Sequence, residues 1–273
     1  MADWPAALSQ GRYTAIGEVA SSSNGTTVTA SATTNTKGSY AELEASTPND
    51  CDGFIVAVDH PPGPADHLLD IAIGAAGSEI VIVPDMLVSG ADAGVEYAYI
   101  PVPIKAGTRV AARSQSTDAS DAIRVTVYLV AGGWMASAPC GRVTNYGSAA
   151  ADSGGVGVDP GGTANTKGSY AEISAALTHP TKYLVVMVGS RNNTVIGADI
   201  FALLDIAVGG AGSEQVVVPD LFIQANASTD AYGRCWICLP LTLKAGERVA
   251  ARLQSNSTDA TDRLIDVALL GIN

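Results

Sequence analysis

Basic charge is scarce: 15 Lys and Arg stand against 27 Asp and Glu among 273 residues, a net charge of −12. General binding to nucleic acid needs a concentrated basic face against phosphate, so that function is excluded, as is docking on an anionic membrane. Charge of either sign is thin at 15 % of residues, against about a quarter in ordinary soluble domains. A long solvated helix bundle needs more Glu, Lys and Arg than this. Histidine is nearly missing. His60 and His179 precede prolines, as loop residues do, and neither they nor His67 recur at the matching place in the repeat described below. The chain has no Gly-x-Ser-x-Gly elbow, no His-Glu-x-x-His and no complete P-loop, so three common routes to hydrolysis and phosphate handling lack their residues. No enzymatic activity and no cofactor are expected. No apolar run reaches the ~18 residues of a membrane-spanning helix. The opening MADWPAALSQGR lacks the basic start and apolar stretch of a secretory leader, so synthesis in the cytoplasm is expected.

Cysteine is too sparse for a disulfide scaffold: Cys51, Cys140, Cys235 and Cys238 are the four. Cys235-Trp-Ile-Cys238 has ligand-like spacing. No second such pair exists, and in a strand-like run residues three apart point to opposite faces. Plain thiols are expected, and no metal site is assigned. The oxygen-rich turns STDASD (with Asp118 and Asp121) and STDATD (with Asp259 and Asp262) suit either a calcium ion or simple turns. The glycine turns GAAGSE (Gly74–Glu79) and GGAGSE (Gly209–Glu214) lie between strands, whereas a dinucleotide fingerprint opens a helix.

What the chain does have is a sentence written twice. NTKGSYAE occupies Asn35–Glu42 and returns at Asn165–Glu172, 130 positions on. LLDIAIGAAGSEIVIVPD from Leu68 returns from Leu203, at offset 135, and KAGTRVAARSQS from Lys105 returns from Lys244 as KAGERVAARLQS, at offset 139. Order is kept and the offset only grows, as unequal loops between matched segments would make it. The chain is therefore one domain duplicated, with repeats at 4–133 and 134–273. Each copy is long enough to close its own core. In YIPVPIKAG, Ile100, Val102 and Ile104 alternate with Pro101, Pro103 and Lys105, the period-two signature of a strand. EIVIVPD is expected as a strand stopping at Pro84-Asp85, and Lys37-Gly38 as a turn. With 29 glycines and 13 prolines spread along the chain and no helical periodicity, the expected fold is all-β: two antiparallel, jelly-roll-like β-sandwiches in tandem.

Arginine is the residue type with site potential. Arg109 and Arg113, and their counterparts Arg248 and Arg252, stand four residues apart on one strand face. Asp70 and Asp205 sit mid-strand in LLDIA. Two readings stay open: cross-strand ion pairs within a repeat, or contacts between subunits. The repeats differ most at loop tips, HPPGPADH (His60–His67) against SRNNTVIGADIF (Ser190–Phe201), and Met86–Glu96 against Leu221–Cys235. Loops on a rigid sandwich carry specificity.

The phrase IPVPIKAGTRVAARSQS, within an acidic, duplicated β-sandwich pattern, resembles virion structural proteins of tailed bacteriophages. The resemblance implies a non-enzymatic component that self-assembles and docks on the particle as capsid decoration, collar, or tail or fibre attachment. It implies a virion location, and as partners other copies of the chain and other virion proteins. A homo-oligomer, taken as a trimer, is the expected assembly, because tandem copies offer nearly equivalent surfaces. The competing reading is a carbohydrate- or receptor-binding module of a phage tail protein.

Overall fold

The computed structural model describes residues 12–59, 65–89, 95–132, 140–190, 200–226, 231–232, 235–257 and 264–273. Its regular elements are strands. The first repeat has β1 (Arg12–Ile16), β2 (Glu18–Val19), β3 (Asn24–Thr29), β4 (Ala41–Glu44), β5 (Gly53–Asp59), β6 (Asp66–Ile73), β7 (Ile80–Ser89), β8 (Val95–Ile100), β9 (Val110–Ser116) and β10 (Ala122–Ala131). The second has β11 (Val143–Tyr146), β12 (Val156–Val158), β13 (Ala171–Ser174), β14 (Thr181–Ser190), β15 (Ile200–Val208), β16 (Gln215–Asn226), β17 (Ala231–Tyr232), β18 (Cys235–Leu243), β19 (Val249–Ser255) and β20 (Ile265–Ile272).

Four sheets result. Sheet 1 runs β2-β3-β10-β5-β8, with β1 also on β10, and sheet 2 runs β4-β9-β6-β7. Sheet 3 runs β11-β20-β14-β18, with β12 also on β20, and sheet 4 runs β13-β19-β15-β16-β17. Sheets 1 and 2 draw on strands up to Ala131, sheets 3 and 4 on strands from Val143 onward. Within each half the chain crosses between its two sheets at six of nine steps, giving the strand orders of a jelly roll. The fold is all-β, two antiparallel sandwiches in tandem. The junction between 133 and 134, Trp4, Trp134, His60, Asp259 and Asp262 lie outside the described residues.

Period-two patterning makes the sandwiches. In β10, Ile123, Val125, Val127 and Leu129 point inward and are buried, while the residues between them are half-buried. Burying each such side chain stabilises the fold by about 1.5–3 kcal/mol. β20 differs, being buried along its whole length. Its Val267 and Leu269 belong to the second repeat's core, whereas Ala268, Leu270 and Ile272 join the first repeat's core. Sheet 3 is thus an internal layer, covered on both faces.

Three sequence expectations are corrected. β7 does not stop at Pro84-Asp85 but runs through to Ser89. Asp85 takes a left-handed backbone (φ 49°) and its N–H donates to Asp70 Oδ1 at 2.9 Å, so the ladder bulges and continues. Asp220 does the same in β16 (φ 52°), bonding Asp205. β8 ends at Ile100, whereas β18 carries the equivalent run on to Leu243; Thr242, which has an N–H, stands there in place of Pro103, which has none. His67 is not a loop residue but the second residue of β6, fully buried, with Nε2 3.2 Å from Asp121 Oδ2.

The two sandwiches meet where β7 lies against the outward face of sheet 3. Trp236 Nε1 donates to the Leu87 carbonyl at 2.8 Å, and Asn145 Nδ2 donates to the Asp85 carbonyl at 2.8 Å. Gly189 faces Ser89 so closely that an added Cβ would come within 3.1 Å of its Cβ. Beside this, Gln115 Nε2 donates to the Ala150 carbonyl (2.9 Å) and to Ser153 Oγ (3.1 Å). Ser153 Oγ in turn donates to Asn35 Oδ1 at 2.9 Å.

Candidate functional site

The repeated phrase is a wiring scheme. Lys37 is no simple turn residue: its Nζ reaches the Leu68 carbonyl (3.0 Å), Asp70 Oδ1 (2.8 Å) and Asp85 Oδ1 (2.7 Å). Arg113 Nε closes on the other oxygen of Asp70 at 2.9 Å, and its guanidinium lies 4.7 Å from the centre of the Tyr40 ring. The second repeat copies each contact. Lys167 reaches Asp205 (2.7 Å) and Asp220 (2.9 Å), Arg252 bonds Asp205 (2.9 Å), and Tyr170 lies 4.6 Å under Arg252. Arg109 bridges Glu42 (2.6 Å) and Glu79 (3.0 Å), and Arg248 bridges Glu172 (2.6 Å) and Glu214 (3.1 Å). All six predicted residues, Asp70, Arg109, Arg113, Asp205, Arg248 and Arg252, therefore have ionic partners within their own repeat. Lys37, Lys167, Asp85, Asp220 and the two tyrosines complete the clusters and were not singled out from sequence. The available signal was that all six stand in phrases written twice.

Burial would raise the Asp205 carboxyl, but the Lys167 ammonium, the Asp220 N–H and the Arg252 guanidinium override it and hold the group below its ordinary range. Among the described residues no cluster of three His, Cys, Asp or Glu is placed to hold a metal. Cys51 is a buried free thiol, Cys140 is buried, and Cys238 is half-buried. Burial, reinforced by Cys140, pushes the Cys238 thiol up to about 11. Its alkylation at pH 8 is therefore expected to run at least about a hundredfold slower than that of a free cysteine, because the thiolate is the nucleophile. Peptide mass spectrometry after iodoacetamide treatment checks this; fast labelling of native protein would contradict it.

Among the described residues, two outward faces remain open. On sheet 1 a trough of about 330 Å³ is walled by Tyr97 and Tyr128, floored by Ala15 and Ala57, and edged by Asp59 and Arg124. Those last two form an ion pair at 3.1 Å. Tyr97 is 56 % exposed, and Tyr13 on the same face 63 %. On sheet 4, Phe201 and Phe222 stack with ring centres 6.0 Å apart, and are 42 % and 62 % exposed. A smaller cleft of about 190 Å³ beside them is lined by Asn165, Leu203 and Gln254. Such faces offer rings for stacking, paired charge and amide hydrogen bonding, the groups of recognition. Phe201 stands at the edge of the Ser190–Phe201 tip named from sequence; the tip's residues 191–199 lie outside the described residues.

No family model matches the sequence, and no curated protein resembles it at a significant level. Among solved structures, PNGF-II is 11 % identical with a TM-score of 0.38; the match covers 95 % of this chain, which spans just 66 % of that one. The N-terminal tandem CBM22-1–CBM22-2 domain of Xyn10C from Paenibacillus barcinonensis is 9 % identical, with a TM-score of 0.26 and coverage of 97 % and 92 %. Vicilin from Capsicum annuum is 12 % identical, with a TM-score of 0.19 and coverage of 85 % and 74 %. Nothing about this chain's ligands or partners follows from likenesses of this size.

Proposed function

We propose that the protein is a non-enzymatic structural component of a tailed-bacteriophage particle, which self-associates and docks on other virion proteins. One observation carries the reading. The two outermost sheets each present exposed aromatic residues, Tyr13 and Tyr97 on sheet 1, Phe201 and Phe222 on sheet 4. Exposed apolar patches on a soluble protein mark interaction sites. The phage phrase type in IPVPIKAGTRVAARSQS supplies the setting. The acidic balance suits a particle surface rather than a nucleic-acid contact.

Light scattering on the purified protein is expected to give a mass above that of one 27.7 kDa chain. Electron microscopy of purified particles, with the protein labelled, is expected to place it on the virion exterior. A monomer that is missing from particles would end this reading.

The trough supports a second reading, recognition of a glycan or receptor. Tyr97 and Tyr128 beside the Asp59–Arg124 pair give ring faces and charged hydrogen-bonding groups in one concavity. Under that reading Tyr97→Ala abolishes binding on a glycan array and leaves assembly intact.

A further inference from the structure

The two open faces are the repeat equivalents of the two faces already joined inside the chain. Register fixes the correspondence. Ala57 pairs with Tyr97 and Thr126 in sheet 1 just as Met187 pairs with Trp236 and Ala268 in sheet 3. On that alignment the trough of sheet 1 is the place where, on sheet 3, strand β7 lies. Tyr97 stands where Trp236 holds the Leu87 carbonyl, and Ala15 where Asn145 holds the Asp85 carbonyl. Ser23 stands where Ser153 does, with the same left-handed backbone (φ 54° and 57°).

The other face matches in turn. Phe222 occupies the position of Leu87, Gln254 that of Gln115, and Asn165 that of Asn35, again with matching backbone (φ 57° and 53°). Leu87 and Ser153 are 0 % exposed and Gln115 3 % in the internal joint. Their equivalents Phe222, Ser23 and Gln254 stand at the surface or half-buried. So the Gln–Ser–Asn contact that closes the joint is spelled a second time, with Gln254 and Asn165 at one end of the chain and Ser23 at the other. Side-chain bulk is also exchanged in a complementary way. The strand gains it, Phe222 for Leu87, and the sheet gives it up at Tyr97 for Trp236, Ala15 for Asn145 and Ala57 for Met187, while Tyr128 for Leu270 adds a wall to the trough.

We propose that a second copy of this chain fills the trough. Strand β16 of one copy lies on the outward face of sheet 1 of the next, with Phe222 seated against Tyr97 and with Gln254 and Asn165 meeting Ser23. This rests on the assembly reading above and gives it a geometry. Each chain offers one trough and one β16 strand, so the contact is heterologous and adds copies until a ring closes or a fibre extends.

The test uses two variants of the whole chain at exposed positions, Tyr97→Asp to block the trough and Phe222→Asp to block the strand, with folding checked by circular dichroism. Light scattering is expected to find each variant alone monomeric and their equimolar mixture dimeric, because each retains the face the other has lost. Gln254→Ala is expected to weaken wild-type association about tenfold, the loss of a contact buried at the joint. If Phe222→Asp still dimerises while Tyr97→Asp does not, the trough pairs with itself and the head-to-tail geometry is wrong. If both variants assemble like wild type, other faces carry assembly; the inference falls and the structural reading stands. A monomeric wild type whose trough binds glycan overturns both.

Discussion

Gly38→Ala is expected to lower stability by about 3 kcal/mol, the upper part of the range for overpacking a closed site. The added methyl would collide with the Thr29 carbonyl oxygen and lie within 3.1 Å of the Ala30 carbonyl carbon. Both are backbone atoms of a neighbouring segment and cannot swing aside. Gly38 also donates its N–H to the Ser114 carbonyl at 2.8 Å, so backing away breaks a bond. Gly168→Ala repeats the problem against Asp159 and Pro160, with its N–H on Leu253. At about 2–4 °C per kcal/mol for domains of this size class, each variant should melt roughly 6–12 °C below wild type by calorimetry. Gly77→Ala is the control. It has φ +81° but open space around it, so it carries backbone strain alone, about 1 kcal/mol. Equal losses for Gly38→Ala and Gly77→Ala would sink the argument from lack of room.

Asp205→Ala is expected to cost about 2–3 kcal/mol at neutral pH. The side chain is 4 % exposed and accepts from Lys167, Arg252 and the Asp220 N–H. Its loss leaves the Asp220 N–H without this acceptor and removes the anion between two cations. Lys167 keeps Asp220, and Lys167 and Arg252 both reach water, which holds the figure below that of a sealed pair. The sign with pH follows from the lowered carboxyl. Its stabilising contribution is complete above the ordinary carboxylate value near ~3.9 and disappears as pH falls through the lower folded value. Urea midpoints for wild type and variant should therefore differ at pH 7 and converge as pH falls through the lowered folded value. A gap that widens in acid would show that the ion cluster is not its source.

The duplication and the all-β class were legible because they rest on period and offset, which survive any detail of packing. The Asp–Arg partners were legible for the same reason: residues an even number apart on a strand share a face, which set Arg113 and Arg252 opposite the mid-strand Asp70 and Asp205. Lys37 was not. Its Nζ leaves a loop to reach two strands distant in sequence, and nothing local in NTKGSYAE distinguishes such a lysine from a turn residue. Asp85 was misjudged because Pro-Asp ends most strands; here a left-handed residue turns a stop into a bulge. The open faces were invisible for a different reason. Phe222 and Leu87 look alike as hydrophobic letters, and only the stacking of repeat on repeat decides that one is buried and the other is not.

The internal joint also sets an order on how the chain can be made. β7 belongs to the first repeat and its cover, sheet 3, to the second, whose last strand β20 ends at Ile272. At about 5–20 residues per second of synthesis, the first sandwich waits roughly ten to thirty seconds with β7 at an open sheet edge. On crowded ribosomes translating one message, a complementary surface is a sheet 3 on a neighbouring chain that its own β7 has not yet covered. Such an exchange uses the native contacts, so it makes a swapped dimer rather than a misfolded one. Slower translation across the second repeat would raise its yield.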